Sequence, residues 1–169
     1  MVVDADEAAH AAYEPGGPGF EAVAAEFGPD YVREGRIDRA RLGDLVFSDG
    51  DALRKLNAIV HPLVRDWMAA RTAEAVARGV EVVVHDVPLL YENGLDNAYG
   101  EVVVVYVPAE VQLRRLVDQR GLAPAKAQAI IATQLAIDDK RNRADHVIDN
   151  SGSREATRAQ VERLWSELK

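Results

Sequence analysis

Cysteine is absent from the 169 residues, so the chain can form neither a disulfide nor a thiolate metal site. The four histidines, at positions 10, 61, 85 and 146, are scattered without the spacing of zinc ligands, which argues against a zinc site. Apolar runs such as VEVVVHDV and EVVVVYVP are too short to span a bilayer. We therefore expect no metal site built from protein side chains alone and no membrane partner. The absence of cysteine is also compatible with the reducing cytoplasm, where we expect the protein to act.

Two catalytic motifs are also missing. No serine occurs in the pattern G-x-S-x-G, which excludes the nucleophile turn of α/β hydrolases. No segment has the form G-x-x-x-x-G-K-[ST], the glycine-rich loop whose amides and lysine hold nucleotide phosphates.

Charge is unevenly distributed. The formal net charge of −8 disfavours a nucleic-acid partner, because a phosphate backbone requires a basic face. Residues 112–146 are different, since seven basic side chains there outnumber four acidic ones. This basic segment indicates an anion site, although an ordinary solvated helical face explains the charge about equally well.

The pattern of apolar residues predicts an α/β fold. Residues 2–5, 81–87, 101–107 and 146–149 are predicted strands, and the middle two are β-branched runs typical of strands buried on both faces. Helices are predicted from 49 to 78 with a bend or restart at Pro62, from 108 to 120, from 124 to 137, and after a Ser153 cap. Alternating strands and helices predict a parallel sheet flanked by helices, with ligands at the carboxyl ends of its strands.

Several polar residues lie at those strand ends or on neighbouring helices. Asp4 and Asp6 lie at the end of the first strand with side chains predicted on one face, where they could accept a hydroxyl proton or help to hold a magnesium ion. The residues by themselves favour the alternative, in which Asp6 caps the helix that begins at Glu7. Arg115 and Arg120 lie on a helical hairpin that could close over a phosphate, or could be ordinary surface charges.

Together, these segments resemble the dephospho-coenzyme A kinase family. The similarity runs in order through VVDAD, EPGGPG, LNAIVHPLV, VVVHDVPLLYENGL, QLRRLVDQRGL and KRNRADHVIDNSG, and it covers the chain from residue 2. The combination of HPL, PLL-x-E and AD-x-VIDN-x-G at these separations carries most of the specificity. Members are kinases of the P-loop fold that transfer the γ-phosphoryl group of ATP, with Mg²⁺, to the ribose 3′-hydroxyl of dephospho-coenzyme A. This is the last step of coenzyme A biosynthesis.

The resemblance implies roles for individual residues. Asp6 is the implied base or orienter of the 3′-hydroxyl, and Arg115 and Arg120 are the implied phosphate-binding arginines, with Arg115 catalytic. Asn150 is implied to lie beside the adenine of ATP. Asp86 is not transferred, because the family pattern tolerates an apolar residue there. The residues implied to contact the acceptor dephospho-coenzyme A are Asp4, His61, Pro62, Pro88, Leu89 and Leu90.

The resemblance also implies a division of the chain and a missing part. Residues 1–169 are expected to form one kinase-like domain, with an acceptor lobe at 7–78, core strands at 79–111, a lid at 112–145, and a last strand and helix at 146–169. Family members begin with a strand, a glycine-rich loop and a helix ahead of the DAD motif, and the sequence as given lacks that unit. We therefore expect the 169 residues alone to be inactive. Two alternatives remain open, another small-molecule P-loop kinase and a non-catalytic module that binds coenzyme A-type ligands.

Overall fold

Contacts along the chain divide it into two units, an N-terminal unit spanning Met1–Pro88 and a C-terminal unit that begins at Leu89. The computed structural model describes residues 1–168. Its elements confirm an α/β fold in which parallel strands are flanked by helices. The strands lie in two parallel pairs, one in each unit, together with a small antiparallel hairpin that the sequence pattern does not predict.

The N-terminal unit is mainly helical. Its first and last strands, β1 and β4, pair in parallel, with Val3 opposite His85 and Asp4 opposite Asp86. Val3 is buried and contacts Ala8 and Met68, so the strand pair and the helices share one core. The elements are β1 (Val2–Asp4), α1 (Ala5–Ala12), α2 (Phe20–Phe27), β2 (Val32–Arg33), β3 (Arg36–Ile37), α3 (Arg39–Ser48), α4 (Gly50–Ala77) and β4 (Val84–Asp86).

Helix α4 runs for 28 residues and contains Pro62 without ending there. A restart at this position is therefore not observed. Proline inside a helix costs about 3 kcal/mol, because it removes one backbone hydrogen bond and crowds the preceding turn. Packing of α4 against α1, α3 and β1 offsets this cost. The carboxylate of Asp49 caps the helix start by accepting bonds from the amides of Asp51 and Ala52.

Strands β2 and β3 form a two-residue hairpin turn at Glu34 and Gly35. Both turn residues have positive φ, 52° and 74°, as a type I′ turn requires. The hairpin places Ile37 in a second core with Val23 and Leu42. Strands of two residues are too short to show alternation, so the pattern carries no signal for them.

The C-terminal unit is built on β5 and β6, which pair in parallel from Val103 opposite His146 to Tyr106 opposite Asp149. Its core contains Tyr91, Val102 and Val104. The elements are β5 (Val103–Tyr106), α5 (Ala109–Arg120), α6 (Pro124–Ala132), α7 (Ile137–Arg143), β6 (His146–Asp149) and α8 (Arg154–Glu167).

Two predictions for these strands are wrong. The runs 81–87 and 101–107 contain shorter strands, β4 and β5, and β5 is not buried on both faces. Val102 and Val104 are buried, whereas Val103 and Val105 are 40% and 59% exposed. The described helices of this unit thus cover only one face of β5. The bounds of β6 agree with the sequence pattern.

The helix predicted over 124–137 is instead two helices, α6 and α7, separated by a turn. In that turn the amide of Leu135 donates to the Glu92 carboxylate at 2.8 Å and does not continue the helical ladder. None of the helices in residues 1–168 combines the length and the apolar composition needed to cross a membrane.

Candidate active site

The carboxyl ends of β1 and β4 bring two aspartates to neighbouring positions. Asp4 and Asp86 are paired in register, which sets their Cα atoms about 4.8 Å apart. One oxygen of Asp4 accepts hydrogen bonds from the amides of Asp6 and Glu7, at 2.8 and 3.2 Å. Asp4 is therefore the N-cap of α1, which corrects the sequence-based alternative that assigned the cap to Asp6.

Asp6 lies in the first turn of α1, since the helix begins at Ala5. The prediction that Asp4 and Asp6 share one face of a strand is therefore wrong, because strand periodicity ends at Asp4. The Asp6 side chain is exposed and makes no hydrogen bond or ion pair within residues 1–168. Its carboxylate is consequently available to a ligand.

The remaining predicted acceptor residues lie on α4 or after β4. His61 and Pro62 are both exposed in the middle of α4. Pro88 and Leu89 are exposed in the turn that follows β4, whereas Leu90 is half-buried against the core of the C-terminal unit.

In the C-terminal unit, the structure brings Arg115 and Asn150 together. Arg115 of α5 donates from Nη2 to the backbone carbonyl of Asn150 at 2.7 Å. Asn150 follows β6, and its amide donates to the carbonyl of Tyr106 at the end of β5. Thirty-five residues separate the arginine from the asparagine in sequence, and the parallel strand pair joins them.

Two residues of α8 also hold this strand end. The hydroxyl of Thr157 donates to Oδ1 of Asn150 at 3.0 Å. The carboxamide of Gln160 contacts both backbone groups of Asp149, accepting from its amide at 2.9 Å and donating to its carbonyl at 2.8 Å. Sequence reasoning did not identify Thr157 or Gln160. The available signal was their position one and two turns after the Ser153 cap, on the helix that follows the strand end.

Asp149 itself points into the turn after β6. The hydroxyl and amide of Ser151 donate to its Oδ1 at 2.6 and 2.8 Å. These bonds favour the charged carboxylate, with the hydroxyl contributing most, and they lower the pKa of Asp149. The turn that carries Asn150 is thus held by Gln160 at the backbone of Asp149 and by Ser151 at its carboxylate.

Arg120 ends α5 immediately before Gly121, whose φ of 65° closes the helix in the left-handed region. Five helical residues separate it from Arg115, so the two side chains project about 140° apart around the axis. Arg120 is exposed and makes no hydrogen bond or ion pair within residues 1–168. It is therefore available to an anion, whereas Arg115 is already used in part by Asn150.

Two of the seven basic side chains in residues 112–146 are paired with acids of the same unit. Lys140 of α7 contacts the Glu92 carboxylate at 2.7 Å, and the two side chains are only 10% and 18% exposed. Arg143 pairs with Asp96 at 2.6 Å. Lys140 and Arg143 therefore anchor α7, and the anion site indicated by the charge of residues 112–146 stays a prediction.

Opposing effects act on Glu92. Its burial would raise the pKa of the carboxyl, but hydrogen bonds from Lys140, the Leu135 amide and its own backbone hold that pKa below its usual value of 4.5. The neighbouring Tyr91 is buried, and its hydroxyl has no hydrogen-bond partner within the described residues. The PLL-x-E segment stands out in the sequence, but the pattern alone assigns Glu92 no role.

A cation site built by the protein alone is not found among residues 1–168, where no group of three or more histidines, aspartates or glutamates could hold a metal. Magnesium in kinases is normally held by one or two carboxylates together with phosphate oxygens. Asp4 and Asp86, at paired positions of β1 and β4, supply two carboxylate side chains at this strand end and so meet that smaller requirement in number.

Comparison with known proteins places these features in a family. The family profile described as dephospho-CoA kinase matches residues 1–156. A dephospho-CoA kinase of Symbiobacterium thermophilum is 48% identical over 97% of this chain and 69% of its own length, and one of Geobacillus kaustophilus is 46% identical over 95% of this chain and 80% of its own.

Solved structures agree with the sequence comparison. A crystal structure of a Thermus thermophilus protein superposes with a TM-score of 0.82 at 32% identity, covering 99% of this chain and 84% of the other. The dephospho-CoA kinase of Campylobacter jejuni superposes with a TM-score of 0.71 at 25% identity, with the same coverage. The chain belongs to the dephospho-CoA kinase family.

Proposed function

We propose that this protein phosphorylates the ribose 3′-hydroxyl of dephospho-coenzyme A with ATP and Mg²⁺, in the cytoplasm. The family acts in coenzyme A biosynthesis and uses ATP as phosphate donor. The structural observation that carries the proposal is the 2.7 Å bond between Arg115 and Asn150. It joins a residue implied to bind phosphate to one implied to bind adenine, at the carboxyl end of a parallel strand pair, where α/β folds bind ligands.

On the acceptor side, Asp6 is the proposed base. A carboxylate can orient a hydroxyl for in-line attack and accept its proton as the new bond forms. The Asp4 cap supports this assignment, because it satisfies the amides of Asp6 and Glu7 while the Asp6 carboxylate makes no hydrogen bond or ion pair within residues 1–168. Binding of the acceptor is proposed to involve Asp4, His61, Pro62, Pro88, Leu89 and Leu90.

On the donor side, Arg115 and Arg120 are proposed to neutralise the charge of the transferring phosphoryl group. Its loose transition state spreads negative charge over three oxygens, which guanidinium groups can contact through several N–H donors. Magnesium, when bound with the nucleotide, would add to this neutralisation. Asn150 is proposed to contact the adenine of ATP.

Replacement of the proposed base tests the assignment. The assayed enzyme carries the strand, glycine-rich loop and helix that the family resemblance expects ahead of Val2. In this enzyme, Asp6→Asn should lower kcat about 100-fold or more, as loss of a general base does, while the free energy of unfolding changes by less than about 1 kcal/mol. Glu21→Gln is the control, because Glu21 is likewise an exposed acid in the first turn of a helix, α2, and makes no hydrogen bond or ion pair through its side chain within residues 1–168.

The control should lose similar stability and keep full turnover. If Asp6→Asn retains turnover within a factor of about two, Asp6 is not the base. If the enzyme phosphorylates another nucleoside or nucleotide but not dephospho-coenzyme A, the substrate assignment is wrong. The 169 residues alone should show no turnover, and measurable activity would contradict the expectation that the glycine-rich loop is required.

A further inference from the structure

The polar groups of Asn150 are almost all occupied. Its backbone amide donates to Tyr106, its backbone carbonyl accepts from Arg115, and its Oδ1 accepts from Thr157. The side-chain nitrogen Nδ2 is the one polar group of this residue without a hydrogen-bond partner within residues 1–168. Asn150 is therefore held so that an N–H donor remains for a ligand.

The orientation of that amide depends on Thr157. A hydroxyl has one proton, and Thr157 has two acceptors within reach, Oδ1 of Asn150 at 3.0 Å and the carbonyl of Ser153 at 3.3 Å. Donation to the nearer acceptor fixes the oxygen of Asn150 toward α8 and turns the nitrogen away from it. Arg115 bonds the backbone carbonyl of Asn150, and Gln160 bonds the backbone of Asp149. Neither is hydrogen-bonded to the carboxamide of Asn150 within residues 1–168.

We propose that Thr157 is a specificity-determining residue, which fixes the Asn150 carboxamide with Nδ2 toward the base of ATP, so that Nδ2 donates to the unprotonated N1 of adenine. The proposal rests on the proposed role of Asn150 beside adenine. Thr157 acts through Asn150 and is a positioning residue.

The chemistry of purines makes this orientation selective. Adenine presents a lone pair at N1, whereas guanine and hypoxanthine carry a proton there. Nδ2 facing that proton would leave two donors without an acceptor, a mismatch that weakens binding about 5- to 100-fold. The reverse orientation would place an oxygen toward the base and would select instead for the 6-amino group.

Two ATP analogues separate these orientations. Purine riboside triphosphate keeps the N1 lone pair and lacks the 6-amino group, whereas the deaza analogue, in which a C–H group replaces N1, keeps the amino group. The assayed protein is again the enzyme that carries the strand, glycine-rich loop and helix expected ahead of Val2. With dephospho-coenzyme A saturating, the deaza analogue should have a KM roughly 3- to 10-fold above that of ATP, and purine riboside triphosphate should lie within about 2-fold of ATP. Because only the triphosphate is varied, the adenine of the acceptor does not affect the comparison.

Thr157→Val removes the hydroxyl and keeps a β-branched side chain of the same shape. In this variant the KM penalty for the deaza analogue should fall below about 2-fold with kcat little changed, and Thr157→Ser should restore the penalty. Ser166→Ala is the control, because Ser166 also donates to a carbonyl four residues earlier on α8 but does not contact Asn150. It should retain the full penalty.

Three results would overturn the inference, and each refutes a different part of it: the orientation of the amide, the role of Thr157, or the role of Asn150. A penalty for purine riboside triphosphate in place of the deaza analogue would show the opposite amide orientation. An unchanged deaza penalty in Thr157→Val would remove Thr157 as the determinant. If Asn150→Ala left the KM for ATP unchanged, the role of Asn150 in the proposed function would itself be wrong, and the inference would fall with it.

Discussion

The ion pair between Glu92 and Lys140 should behave as a coupled unit that holds α7 in the C-terminal unit. Lys140→Met keeps most of the packing but leaves Glu92 with only backbone donors. Removing one partner of a buried pair costs about 3–5 kcal/mol, and since these side chains are 18% and 10% exposed we expect a smaller cost of about 2–3 kcal/mol. In Glu92→Gln, the new amide oxygen can still accept from the Leu135 amide, but the ion pair of Lys140 with the Glu92 carboxylate is lost, for a similar cost.

The double variant Glu92→Gln/Lys140→Met should be less destabilised than the sum of the two, with a coupling energy of about 1–3 kcal/mol. The measurement is urea unfolding followed by fluorescence. Since the chain contains two tryptophans, Trp67 and Trp165, a Trp67→Phe background restricts the signal to α8 of the C-terminal unit. Additive single effects would refute the idea that the pair acts as a unit.

The same pair predicts a pH dependence with a definite sign. The pKa of Glu92 is lower when folded than its usual 4.5, so its stabilising contribution is present above that value and is lost as pH falls through the folded pKa. Burial raises the pKa of Glu92, and the hydrogen bond from Lys140 lowers it. Lys140→Met removes that hydrogen bond, so the pKa of Glu92 should rise. Unfolding free energies from about pH 7 to about pH 3.5 should then fall less in the variant than in the wild type. Equal slopes would contradict the reasoning.

Two further substitutions test local features. Tyr91→Phe removes a buried hydroxyl that has no hydrogen-bond partner within the described residues, so the free energy of unfolding should stay equal or rise by up to about 1 kcal/mol, and a loss above that would reveal an unrecognised partner. Glu34→Asn places a residue favoured at positive φ in the type I′ turn and should stabilise the hairpin by roughly 0.5–1 kcal/mol. The measurement is thermal melting, with Glu81→Asn as a control at an exposed position. Destabilisation by Glu34→Asn would contradict the turn assignment.

Local signals in the sequence predicted much of the secondary structure. Ser153 caps α8 as predicted, with its hydroxyl accepting from Ala156, and Gly121 closes α5. The bounds of β6 are also as predicted, because a polar residue or a turn flanks each end. These features depend on residues within one or two turns of each other, which is the range over which sequence patterns carry information.

The errors arise where distant residues decide the local structure. The break between α6 and α7 depends on Glu92, which lies 43 residues before Leu135 in sequence and accepts its amide. Acids that pair with Lys140 and Arg143, namely Glu92 and Asp96, likewise come from the segment before β5, so a count of charges within residues 112–146 does not include them. The sequence pattern did not predict that Arg115 bonds to Asn150. The two residues meet only because β5 and β6 pair in one particular register, which local patterns do not reveal.

The contact between Gln160 and Asp149 also bears on how the protein behaves at high concentration. Since the amide of Asn150 is bonded to β5, the backbone groups of Asp149 point to the opposite, outer edge of β6. An open strand edge can recruit a strand from another molecule and so start aggregation. The Gln160 carboxamide bonds both the amide and the carbonyl of Asp149, as a neighbouring strand would. This side chain therefore prevents a strand of another molecule from pairing with β6 at Asp149.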